Sequence, residues 1–103
     1  MPAKTDYDPE SYNRESFANI MQFVFADLMI KHDREGSDGF WETQQEVASI
    51  RQRIAKAYEQ SKEVPIQRIA EGVLLWMRRG ATVDDVLKAS NGKLLKRAKK
   101  LPG

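Results

Sequence analysis

No cysteine occurs in the 103 residues. That excludes disulfide scaffolds, thiolate zinc sites and cysteine nucleophiles, and it fits a reducing compartment. Long apolar runs are missing as well. The longest is Val73-Leu74-Leu75-Trp76-Met77, five residues, whereas a membrane helix needs about 20. The opening stretch Met1-Pro2-Ala3-Lys4-Thr5-Asp6 has no apolar signal core. The expectation is a soluble, cytoplasmic protein with no use for a membrane.

Signatures of catalysis are equally scarce. There is no glycine-rich phosphate loop, no His-Glu-x-x-His run and no nucleophile elbow. His32 is the one histidine, and a lone imidazole near a helix end is read as structural. Glu42 and Glu46 stand one helical turn apart, a common surface decoration. The run Asp33-Arg34-Glu35-Gly36-Ser37-Asp38-Gly39 has the composition of a calcium loop. It fails in detail, because loop position six is Asp38 where glycine is required and position twelve is Gln44 where glutamate is required. No catalytic residue, metal ligand or cofactor is assigned, and the chain is not expected to be an enzyme.

What is present is charge, unevenly spread. The total is 17 Lys and Arg against 15 Asp and Glu, a formal +2. Residues 1–46 hold four bases and ten acids, a balance of −6, while residues 47–103 hold 13 bases and five acids, a balance of +8. Such asymmetry points to nucleic acid or an acidic partner.

Apolar spacing is helical throughout, and no stretch alternates with period two. Residues 1–15, with Pro2 and Pro9, form a polar lead-in. A first helix is predicted over residues 16–33, carried by Phe17, Ile20, Met21, Val24, Phe25, Leu28 and Met29 at spacings of three and one. Phe23 and Ile30 fall on its opposite side, so it is apolar on two faces and suited to a central place or to self-association. Gly36-Ser37-Asp38-Gly39 reads as a turn. A second helix, residues 40–61, carries the narrow stripe Phe40, Val47, Ile50, Ile54, Ala57 and Tyr58. Pro65 opens a third over residues 65–79 with Trp76 on its core face, and Gly80 closes it. Thr82 and Asp85 form a capping box for a short helix, residues 83–89, which Ser90-Asn91-Gly92 ends. A last short helix over residues 93–101 is predicted.

That last segment is the most informative. Lys93, Lys96, Arg97 and Lys100 share one side of a helical wheel, Leu94, Leu95, Ala98 and Leu101 the other, and no acid follows Asp85. Bases presented this way neutralise phosphates and release counterions. The third and fourth helices have the outline of a helix-turn-helix, but Trp76 stands where a small residue is wanted, and Asp84 and Asp85 begin the helix that would face DNA.

The expected fold is all-α: a compact bundle of about four helices in residues 16–92, plus a short basic C-terminal helix in residues 93–103 whose removal leaves the fold intact. The expected function is nucleic-acid binding or regulation, with Lys93, Lys96, Arg97, Lys99, Lys100, Arg78 and Arg79 contacting phosphates. A homodimer formed through Phe23 and Ile30 is expected. The alternative is a non-catalytic protein-interaction module, an adaptor or inhibitor, that uses helix 1 and exposed aromatics on a protein partner.

Overall fold

Residues 16–101 are described by the structure, a computed structural model, and form five helices: α1 (Phe17–Lys31), α2 (Gly36–Ser61), α3 (Ile66–Arg78), α4 (Val83–Lys88) and α5 (Asn91–Lys99). No strand occurs among them. The polar lead-in, residues 1–15, lies outside the described residues.

Local chemistry explains most of the helix starts. The Ser16 hydroxyl accepts from the Asn19 amide at 3.1 Å and caps α1. Thr82 and Asp85 form the predicted reciprocal box on α4: the Asp85 amide donates to Thr82 Oγ1 at 3.1 Å and the Thr82 amide to Asp85 Oδ2 at 2.9 Å. These bonds hold the Asp85 carboxyl below the usual carboxylate range, the Thr82 backbone bond contributing most. Pro65, expected at the first helical position, is instead the N-cap of α3, which begins at Ile66. Gly80, at φ +116°, follows the end of α3 in a conformation that favours glycine.

Two predicted turns lie elsewhere. Gly36-Ser37-Asp38-Gly39 is the first turn of α2, and the chain reverses at residues 32–35, with Asp33 at φ +50° and Gly36 at φ +76°. Arg34 accounts for the shift. Its guanidinium donates to Glu46 and, at 3.0 Å, to the buried Thr43 hydroxyl, so it lies across the start of α2. A Cβ on Gly39 would stand 2.6 Å from the Arg34 Cβ, so only glycine lets the turn and helix approach this closely. Likewise Ser90 does not end α4 alone. It caps α5, accepting from the Lys93 amide at 3.1 Å, and Asn91 and Gly92 are helical. Arg53 on α2 clamps the junction by donating to the Ala89 carbonyl and to Asn91 Oδ1.

α3 is the centre of the arrangement, packed against α1, α2 and α5, while α2 also carries α4. The core joins Ile20, Val24 and Leu28 of α1 to Val47, Ile50 and Ile54 of α2 and to Ile69, Val73 and Leu74 of α3. Leu94, Leu95 and Ala98 of α5 are buried in the same cluster. Residues 93–101 thus form a wall of the core, docked by their leucines. Gly72 permits this: a Cβ there would meet the Ala98 amide nitrogen at 3.3 Å. Arg68 secures the far end of α5, donating to the carbonyls of Ala98, at 3.0 Å, and Leu101.

Trp76, expected on the core face, does pack against the core but is only half-buried, and Lys93 and Arg97 of α5 supply the rest of its cover. Phe40 is 40% exposed and meets Phe25 edge-on at 5.3 Å. Its place in the first turns of α2 carries it past the end of the buried stripe.

Candidate functional site

Neighbouring residues on an α-helix point about 100° apart, and Arg78 and Arg79 follow opposite flanks of α3 for that reason. Arg78 turns to α1, where its Nε lies 2.5 Å from Asp27 Oδ2 and its guanidinium stands 6.0 Å from the Phe23 ring centroid. Arg79 turns to α5 and is exposed.

Gly72, Leu75, Trp76 and Arg79 recur at i, i+3, i+4 and i+7 on α3, and Lys93, Lys96, Arg97 and Lys100 do the same from the start of α5. The two stripes face each other. Between them runs a cleft of about 460 Å³. Arg79, Lys93, Lys96, Arg97 and Lys100 line it over a floor of Gly72, Leu75 and Leu101, with no acid in the lining. The Lys93 ammonium stands 4.8 Å and the Arg97 guanidinium 4.6 Å from the Trp76 ring centroid, within cation–π range. Partial burial, and then the neighbouring Arg79 charge, lower the Arg97 pKa. Arg97 remains a cation at neutral pH, so the cleft is a place where positive charges crowd one another.

Five of the seven residues expected to meet phosphates line this cleft. Lys99 is exposed on α5 outside the lining, and Arg78 is committed to Asp27 on the opposite flank. Sequence reasoning missed Leu75 and Gly72 as parts of the cleft and Trp76 as its neighbour beneath Lys93 and Arg97. The available signal was Gly72 itself, since a glycine inside a helix marks a close approach. It also missed how many arginines are structural. Arg34, Arg53, Arg68 and Arg78 each bond a carbonyl or a carboxylate that holds two elements together.

The two residues expected to self-associate differ. Phe23 is half-buried beside Arg78, whereas Ile30 is 78% exposed on the rim of a second cleft between α1 and α3, about 610 Å³ and bounded by Asp27, Lys31, Met77 and Arg78. Trp41 is also exposed, at 64%, beyond Phe40 on α2. Among the described residues no group of three or more His, Asp or Glu is placed to hold a metal ion, and no helix is long and apolar enough to cross a membrane. In comparisons with known proteins, no family model, no curated protein and no solved structure matches this chain.

Proposed function

We propose that this is a small cytoplasmic nucleic-acid-binding protein, regulatory rather than enzymatic, which contacts phosphates with the basic C-terminal half of its chain. One observation carries the reading: five cations from two helices line a single cleft that contains no acid. Surface cations dispersed for solubility are normally interspersed with acids. Here the side chains of Arg79, Lys96 and Lys100 make no ion pair or hydrogen bond with a described residue, whereas the arginines that build the fold are all engaged. Each phosphate neutralised in the cleft releases condensed counterions, which makes binding favourable and salt-dependent.

Since α5 is part of the core, truncation would confound folding with binding. Lys96→Ala with Lys100→Ala removes two exposed charges and leaves Leu94, Leu95 and Ala98 in place. If each lysine meets one phosphate, the double variant's log–log salt slope should be shallower by about 1.4 on a single strand or about 1.8 on duplex. Fluorescence polarisation at several salt concentrations measures it. An unchanged slope would remove the cleft from the mechanism.

Exposed Ile30 and Trp41 favour a second reading, a protein-interaction module or a homodimer built on α1 and the start of α2.

A further inference from the structure

We infer that the cleft between α3 and α5 takes single-stranded nucleic acid, its phosphates on the cations and a sugar or base over the apolar floor, in preference to duplex. This deepens the nucleic-acid reading above and rests on it.

The argument begins with shape. Proteins that read duplex DNA put a protruding helix into a major groove about 12 Å wide. The cations of α5 do not stand out in that way. Lys93 and Arg97 bend back over Trp76 of α3, and Lys96 and Lys100 line the same recess. A recess of about 460 Å³ is of small-ligand size. It admits a segment of one flexible strand, whereas a rigid duplex can only lie across its mouth.

Composition agrees with shape. Binding of single strands without strong sequence preference combines a positive groove for the backbone with apolar or aromatic surface for bases and sugars. Leu75, Gly72 and Leu101 supply an apolar floor, and Trp76 adjoins it beneath Lys93 and Arg97. Crowding of Arg97 by Arg79 adds a driving force, because an entering phosphate relieves the repulsion between them.

Surrounding charge disfavours duplex. Asp84 and Asp85 are exposed in the first turn of α4, and Asp85 is close enough to Lys93 to feel its charge. A duplex spanning α5, about 13.5 Å long at 1.5 Å per residue, would bring its phosphates toward these carboxylates. No acid lines the cleft itself, so a strand confined between α3 and α5 has only cations and apolar groups on its walls.

The test compares a fluorescein-labelled twelve-nucleotide oligo-dT and an oligo-rU of the same length with a twelve-base-pair duplex at low salt. Three proteins are used: the parent, a groove variant (Lys96→Glu with Lys100→Glu), and an equal-charge control (Arg51→Glu with Lys56→Glu), whose residues are exposed on α2 outside the cleft. The parent should bind at least one single strand about tenfold tighter than duplex. The groove variant should lose single-strand binding about tenfold or more, and the control no more than about threefold. Circular dichroism checks that all three are folded. In a Trp41→Phe background, Trp76 emission should change as the strand draws Lys93 and Arg97 off the ring. Duplex binding as tight as single-strand binding, equal losses in the two variants, or a polarisation rise with unchanged Trp76 emission would each overturn the inference. The first of these would leave nucleic-acid binding standing. Binding of none of the probes would overturn both.

Discussion

Gly72 offers the sharpest test of how α5 is held, because two opposing effects act there and the structure decides between them. Alanine in place of a helix-interior glycine is favoured by about 0.5–1 kcal/mol, from reduced backbone freedom in the unfolded chain and better helix propensity. Against this, the new Cβ would meet Ala98 N at 3.3 Å, Ala98 Cα at 3.4 Å and the Arg97 carbonyl carbon at 3.5 Å. These are backbone atoms, which no side-chain rotation can remove. α5 must shift by a few tenths of an ångström, and overpacking of this kind costs about 1–3 kcal/mol. The net expectation for Gly72→Ala is therefore a loss of about 1 kcal/mol, or a fall of about 4–8 °C in Tm for a domain of this size. Gly92 is the internal control. It is exposed near the start of α5, and a Cβ there would meet nothing nearer than Ser90 Oγ at 4.0 Å. Gly92→Ala should match the parent or exceed it by up to about 1 kcal/mol. Thermal and urea unfolding followed by circular dichroism rank the three proteins. If Gly72→Ala is at least as stable as Gly92→Ala, the contact between α3 and α5 is looser than described, and the cleft it frames is not rigid.

Two further predictions concern association and acid. Light scattering of the parent across a hundredfold dilution should show a mass above the monomer that Ile30→Asp returns to the monomer, since exposed Ile30 is the residue on α1 most available to a second copy; a parent that stays monomeric at every concentration refutes the dimer. The Asp85 carboxyl is held below the usual carboxylate range, so its capping contribution is complete at neutral pH and is lost as pH falls through its lowered folded value. Tm differences between the parent and Asp85→Ala should accordingly be largest near neutrality and shrink toward pH 3; a difference independent of pH would mean that the carboxylate charge is irrelevant to the α4 cap.

Much of this protein was legible from its residues. The alternation of three and one in Phe17, Ile20, Met21, Val24, Phe25 and Leu28 is a local property of helix geometry, and the Thr82–Asp85 box is a contact three residues apart. The division of α5 into leucines on one side and bases on the other follows from its nine residues alone. Helix identity, the α4 cap and the basic face were therefore available before any tertiary contact. What needed the fold were relations between residues distant in sequence. Arg78 and Arg79 are chemically alike and adjacent, yet Asp27, 51 positions from Arg78, holds one while the other reaches the cleft. Arg34 bonds Glu46 and moves the turn that glycine composition had placed at residues 36–39. Arg68 and Arg53 look like surface charge until the carbonyls at the two ends of α5 are brought to them. Local periodicity specifies which face of a helix is apolar; it carries no information about which charged side chain will find a partner. Only tertiary structure sorted the basic residues of this chain into those that hold it together and those that line the cleft between α3 and α5.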